Sequence, residues 1–402
     1  MAVLGALSHV RVLDLSRILA GPWATQSLAD LGADVIKVER PGSGDDTRGW
    51  GPPYLEGDPS RSAYFCSVNR NKRSLALDIS DPAAAAAVRR IAAGSHVVVE
   101  NFKKGALARY GLDFESLARE NPSLVYCSIT GFGQEGPDSA RAGYDFMIQG
   151  MAGLMSVTGD PQGMPMKVGV ALSDVLTGLN AAVAILAALN HAERTGKGQF
   201  IDMSLFDVTV ASLANQAANY LFTGESPERL GNAHPNIVPY QVFEVADGHL
   251  ILAVGNDAQF QRFCSLAAMD AAAEDPRFST NDARVRNRDE LVPQVAKAMK
   301  KRSVSDWLEA LNRDGIPAGP INDIGQAFEE KQAVFSGLAE SIVGSDGASV
   351  PTVRSPLGLA STPPTLRMAP PRVGEHTREI LRDLLGLDDK AVDGLTPGLR
   401  KK

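Results

Sequence analysis

Cysteine is scarce: Cys66, Cys127 and Cys264 are the three in a chain of 402 residues. An odd, widely spaced set builds neither a disulfide framework nor a zinc site. Buried free thiols in a reducing, cytoplasmic compartment are the expectation. Long apolar runs are missing as well. The longest unbroken one, Ala181 to Leu189, is far short of the ~20 residues that span a bilayer. The start, MAVLGALSHVRVLDL, lacks the basic and apolar regions of a secretory signal. Basic charge is not in excess: 40 Lys and Arg stand against 47 Asp and Glu, a net charge of −7. A nucleic-acid surface would show the opposite balance. Several catalytic signatures are absent too. No G-x-G-x-x-G follows the first strand-like segment, and no phosphate-binding G-x-x-x-x-G-K-[ST] occurs, which weakens nicotinamide and nucleotide-triphosphate readings. Nucleophile-elbow, H-E-x-x-H and C-x-x-C motifs are likewise missing. The six histidines are scattered singly, and His9, His96, His191 and His249 read as structural or exposed.

What is present is alternation. Val10–Leu15 and Asp34–Glu39 read as strands, joined through Ala20-Gly21-Pro22 and a helical stretch that Gly32 ends. Asp81-Pro82 opens an alanine-rich helix, and the strands His96–Glu100 and Leu124–Ile129 follow. Such alternation predicts an α/β fold, a Rossmann-like large domain with a parallel sheet. Residues 168–192 read as a long buried helix. After Gly224 the character changes: 238–254 predict two strands joined at Ala246-Asp247-Gly248, a hairpin, and charged helices come next. The expected organisation is a large domain over 1–225, a smaller α+β domain over 226–325, and a Pro-rich segment, 326–402, that returns to the first.

Two features carry chemistry. Between Lys167 and Glu193 the one formally charged side chain is Asp174. A carboxylate in such apolar surroundings needs a partner or a purpose. Two readings are open and compatible: Ser173 or Asp174 as a helix N-cap, and Asp174 as a nucleophile on an acyl group. The second feature is a set of cations, Arg40, Arg48, Arg70, Lys72, Arg73, Lys103, Lys104, Arg109 and Arg141. Several are placed to follow strands, where a phosphate-bearing ligand would meet them. A solvated basic face is the alternative.

The run LSRILAGPWATQSLADLGADVIKVERPGSGDDTR (15–48) resembles the opening of the class III coenzyme A transferases, the CaiB/BaiF family. SVNRNKRSLALDI (67–79), VVENFKKG (98–105), SITGFGQEGP (128–137), RAGYD (141–145), ALSDVLTG (171–178) and TGKGQFIDMSLFD (195–207) continue the likeness. Within the family, GNAHPNIVPYQVF (231–243) and AVGNDAQF (253–260) are most similar to the transferases that exchange CoA between succinate and glutarate. The resemblance implies that Asp174 attacks an acyl-CoA and passes CoA to a carboxylic acid through anhydride and thioester intermediates, with no metal and no cofactor beyond coenzyme A as substrate. It also implies CoA contacts at Leu19, Ala20, Arg40, Leu77, Asn101, Phe102, Lys103, Arg109, Arg141, Ala142, Gly143, Tyr144 and Asp145. Arg17, Arg48 and His234 are the candidates for a dicarboxylate's distal end. Formyl-CoA transferase covers its intermediate with a glycine-rich loop; here the matching Gly255-Asn256-Asp257 holds one glycine, which points to an acceptor other than oxalate. The family further implies an interlocked homodimer, without nucleic-acid or membrane partners. Open alternatives are another acid (itaconate, citramalate, a carnitine-like acid, formate or oxalate), a 2-methylacyl-CoA racemase, and a CoA-binding protein without catalysis.

Overall fold

The computed structural model describes residues 5–396. Two compact units are present. One is built from the chain up to Leu154, from Val168–Ala218 and from Gln332 onward; the other is built from Met155–Lys167 and Asn219–Lys331.

The first unit holds a six-stranded sheet. Its strands are β1 (Arg11–Asp14), β2 (Asp34–Glu39), β3 (Lys72–Ala76), β4 (Val97–Glu100), β5 (Val125–Thr130) and β6 (Gln199–Ser204). All pairs are parallel, in the order β3-β2-β1-β4-β5-β6. Strands such as Val97-Val98-Val99 are buried on both faces, as a doubly covered parallel sheet requires. The expected α/β reading holds, with the strand order of a dinucleotide-binding fold reversing between β1 and β4.

Helices α1 (Ala20–Asp30), α2 (Pro82–Ala93), α3 (Phe114–Glu120), α4 (Asp145–Met151), α5 (Leu172–Thr195) and α6 (Leu205–Ala211) cover the sheet. Local chemistry sets their ends. Asp81 caps α2 by accepting the Ala83 and Ala84 N–H groups at 2.9 Å, with Pro82 in the first turn and Gly94 at the end, the arrangement that satisfies orphan helix termini. One face buries α1, α4, α5 and α6 around Leu28, Ile148, Ala181 and Ile185. On the other, α2 and α3 are joined by the helix Thr377–Leu385, through Ile380 and Leu381.

By length and composition α5 is apolar enough to cross a membrane, although its longest unbroken apolar run is short. Here Ala181, Ala182, Ile185, Ala188, Leu189 and Ala192 are buried in the core. Gly178 shows how closely α5 approaches α1: a Cβ there would stand 2.6 Å from the Ala20 carbonyl oxygen.

In the second unit β7 (Tyr240–Val245) and β8 (Gly248–Ala253) form the expected hairpin, with Val245 paired to Gly248 across the turn. β9 (Ala318–Pro320) adds to the other edge of β8. Phe243, Leu250, Phe260, Phe263 and Trp307 lie in its core.

Candidate active site

After β1 the chain turns through Leu15-Ser16-Arg17-Ile18 into α1. Ile18 adopts a φ of 72°, a conformation that β-branched residues avoid and that marks strain. Two side chains hold it. Asn101, just past β4, accepts the Arg17 N–H at 2.9 Å and donates to the Arg17 carbonyl at 2.7 Å. Asp45 accepts the Ile18 N–H at 3.3 Å. This turn borders a cavity of about 300 Å³ at the carboxyl ends of the strands, where open parallel sheets bind ligands.

Arg40, Leu77, Phe102 and Arg109 line that cavity. Four of the residues implied for CoA are thus brought together, and Arg17 joins them. Leu19 and Ala20 are buried at the start of α1, while Asn101 is half-buried and Lys103 exposed. Arg141 pairs with Asp138 at 2.9 Å on the surface and lies over the Phe132 ring.

Of the other cations singled out in the sequence, Arg48, Arg70 and Lys72 are buried, Arg73 is partly buried and Lys104 is exposed. Lys72 and Arg73 lie within β3 rather than in a loop. Lys72 Nζ, fully buried, reaches Asp14 at 3.2 Å, the Pro22 carbonyl at 3.0 Å and Asn69 at 2.9 Å. Burial presses its pKa down to about 8 against the pull of Asp14. Arg70 is forked onto Asp30. Arg48, expected at the acid's distal carboxylate, requires correction. It is 3% exposed and donates from Nε and Nη2 to Glu39, each at 2.8 Å, and from Nη2 to the Pro371 carbonyl at 3.0 Å. A guanidinium so engaged has no free edge for a substrate.

Asp174 is the third residue of α5. The cap expected from Ser173 or Asp174 is supplied differently. The N-cap position is Ala171, which offers no side-chain bond. Asp145, the first residue of α4, reaches across instead. Its Oδ1 accepts the Ser173 N–H at 2.8 Å and the Asp174 N–H at 3.3 Å. Buried Gln149 donates to the other oxygen at 2.8 Å. Asp145 therefore serves the orphan helix donors, and the Asp174 carboxylate is left over. Among the described residues it has neither a hydrogen-bond donor nor a cation. Burial first, and then the Asp145 charge, raise its pKa to about 7.

Two close approaches fix this arrangement. A Cβ on Gly143 would stand 2.4 Å from the Gly131 Cα, so Ala142-Gly143 lies backbone to backbone against the turn after β5. Tyr144, 66% exposed, occupies the N-cap position of α4. The Ala20–Gly178 contact brings the cavity's β1–α1 segment within one turn of Asp174 along α5. Sequence reasoning missed Tyr64. It sits half-buried in the short helix Ala63–Ser67, and burial, together with the charges of Asp174, Asp145 and Asp45, pushes its hydroxyl up to about 12. An unremarkable Ala-Tyr-Phe gives no signal of that.

The sequence profile described as CoA-transferase family III matches residues 7–377. The chain belongs to CoA-transferase family III. It is 51% identical over 389 residues to the succinate–glutarate CoA-transferase of Agrobacterium fabrum, across 96% of this chain and 97% of that protein. With the succinyl-CoA:glutarate CoA-transferase of Mus musculus the identity is 45%, across 97% and 88%. The crystal structure of a CaiB/BaiF family protein from Brucella suis superposes with a TM-score of 0.83 at 48% identity, covering 95% of this chain and 100% of that one.

The transferase carries its remaining expected residues in the second unit. Asn256 caps the helix α7 (Asp257–Ala267) by accepting the Gln259 N–H at 2.9 Å, and Gln259 returns a bond to the Gly255 N–H at 2.8 Å. Asp257 pairs with buried Arg284 at 2.8 Å. This segment is an anchored helix start rather than a run of glycines. His234 accepts the Asn236 N–H on Nδ1 at 3.0 Å and lies 5.3 Å from the Tyr240 ring. Burial and Arg288 lower its pKa, which leaves Nε2–H as its donor. Among the described residues no group of three or more His, Cys, Asp or Glu is placed to hold a metal.

Proposed function

We propose that this family III transferase moves CoA from succinyl-CoA to glutarate through covalent intermediates on Asp174. The observation that carries the mechanism is the Asp174 carboxylate itself, half-buried, unpaired among the described residues and raised to a pKa of about 7. The two curated relatives named above, at 51% and 45% identity, support the substrate pair.

The chemistry balances without an external energy source. An Asp174 oxygen attacks the thioester carbonyl of succinyl-CoA, the C–S bond breaks, and CoA thiolate leaves a succinyl–aspartyl anhydride. The thiolate then attacks the aspartyl carbonyl, which gives an aspartyl–CoA thioester and free succinate. A glutarate carboxylate displaces the thiolate, forming a second anhydride. Thiolate attack on its glutaryl carbonyl releases glutaryl-CoA and restores Asp174. A carboxylate nucleophile divides one hard transfer into steps of similar energy. A raised pKa serves it further, because a more basic carboxylate is a better nucleophile. The cavity at the strand ends supplies the CoA site. Arg40 and Arg109 meet phosphates, and Leu77 and Phe102 give apolar surface. We also assign the enzyme to the cytoplasm, in keeping with its three buried free thiols, and to a homodimer, in keeping with its family.

Mass spectrometry after brief incubation with succinyl-CoA tests this reading. The expected result is an acyl or CoA adduct on the Asp174 peptide, discharged by glutarate and absent in Asp174→Ala. Discharge by a different acid alone would overturn the substrate assignment. Absence of any adduct, with CoA still bound, would overturn the mechanism.

A further inference from the structure

Arg17 stands out among the cavity's cations because it is held in place yet incompletely used. Its backbone is clamped on both sides by Asn101, and the following residue, Ile18, carries the strain of the turn. The guanidinium carbon lies 5.7 Å from the Phe102 ring centroid, and the side chain lines the cavity with Arg40 and Arg109. Its partner is Asp46, reached from Nη1 at 2.8 Å. Both side chains of that pair are exposed, 42% and 47%. Nε is buried and lacks a hydrogen-bond partner among the described residues. Contrast Arg48, 3% exposed, whose Nε is satisfied by Glu39. A buried donor without an acceptor disfavours the conformation that holds it, and a solvent-exposed pair adds little to offset that.

We propose that Arg17 exchanges Asp46 for a phosphate of CoA: in the free enzyme it is parked on Asp46, and in the complex it turns onto the ligand. The inference rests on CoA occupying this cavity. It moves Arg17 from the acid's distal carboxylate, where the sequence placed it, to the nucleotide end of the site. The physical basis is a competition between two anions for one fork of donors. Phosphate offers more acceptor oxygens and a higher charge than Asp46, and an arginine meets it through two parallel bonds. Asp46 is consequently an antagonist of binding, although it forms an ion pair. Both phosphate sources on CoA, the 3′-phosphate and the diphosphate, present the same chemistry.

Calorimetric titration of CoA at low ionic strength, with wild type, Arg17→Gln and Asp46→Asn, decides the matter. Arg17→Gln is expected to weaken CoA about tenfold. Asp46→Asn is expected to strengthen it by roughly two- to threefold. Repeating the series with dephospho-CoA locates the contact. A loss for Arg17→Gln on CoA but not on dephospho-CoA assigns the 3′-phosphate, an equal loss on both assigns the diphosphate, and either supports the exchange. Equal CoA affinity of Arg17→Gln and wild type overturns it. So does Asp46→Asn weakening CoA, because the pair would then be scaffold. Wild-type enzyme that does not bind CoA at all overturns the underlying reading of the cavity as well.

Discussion

In and behind the cavity wall, which Lys37, Glu39 and Asp45 help to line, Asp14, Glu39 and Asp45 are buried together with Lys72, Arg48 and Lys37, and each carboxylate meets its cation at 3.2 Å or less. At the mouth of α5, Asp145 and Asp174 lie side by side with no ion pair among the described residues. Both sets belong to the same unit. Burial pushes Asp14, Glu39, Asp45 and Asp174 toward the neutral form, so the partners decide the outcome. Lys37, with the Thr47 N–H and hydroxyl, overrides burial at Asp45 and holds its pKa at about 2. At Asp174 a second carboxylate adds to burial, and the pKa rises to about 7. The same residue type is scaffold in one place and reactive in the other. The difference lies in whether the chain supplies a cation.

Substitution of the unpaired acid should have the largest effect on chemistry. Asp174→Asn is expected to lower the transfer rate by roughly 10⁴-fold or more, as removal of a nucleophile does, while CoA affinity stays near that of wild type. Stability should move the other way. Because folding raises the pKa of Asp174, the folded state holds its proton more tightly than the unfolded chain does. Its contribution is therefore fully present below the unfolded value near 4 and is lost as pH climbs through about 7. At pH 8, Asp174→Asn should melt higher than wild type, and at pH 4 the gain should vanish. A variant that melts lower at both pH values would show that the carboxylate is structural. In the paired cluster the pattern reverses. Asp14→Asn leaves Lys72 with neutral oxygen partners alone, Pro22 and Asn69. Breaking such a buried pair costs roughly 3–5 kcal/mol, readable by urea unfolding. A loss below about 1 kcal/mol would erase the distinction between the two regions.

The sequence made one side of this contrast far more legible than the other. β-branched runs and the punctuation of Gly32, Asp81-Pro82 and Gly94 predict the alternating fold, because periodicity and capping are local properties. Asp174 was visible for a related reason, as a single charge in an apolar stretch. The paired cations were misread because pairing is long-range. Arg48 looks like a loop arginine next to two aspartates, yet its acceptors are Glu39, on β2, and the Pro371 carbonyl. Lys72, left open between a ligand site and a solvated basic face, is carried by its strand into the core. The Asp145 bond to α5 spans a similar gap. RAGYD was singled out as a motif, but nothing in its spacing shows that its aspartate would cap a helix beginning 27 residues later. Tyr64 left no trace, since its significance comes from the charges that face it.

The smallest expected effect is the sharpest test of what Asp145 contributes. Two roles are combined in that residue, an acceptor for the first N–H groups of α5 and a negative charge beside Asp174. Asp145→Asn separates them. The amide keeps an oxygen for the Ser173 N–H, so the helix start should survive, but its NH2 then faces the Gln149 Nε2 donor, and a modest fall in melting temperature is expected. The charge is gone, which takes away the second of the two causes that raise the Asp174 pKa, burial being the first. Since the carboxylate form attacks, the wild-type rate should rise as pH climbs through about 7. In Asp145→Asn that limb should move to lower pH by about one unit or less, with a loss of only a few-fold at pH 8, where a less basic nucleophile attacks more slowly. An unmoved limb would assign the raised pKa to burial alone. A collapse in melting temperature would show that the anionic cap, rather than its charge on Asp174, is what the fold requires of Asp145.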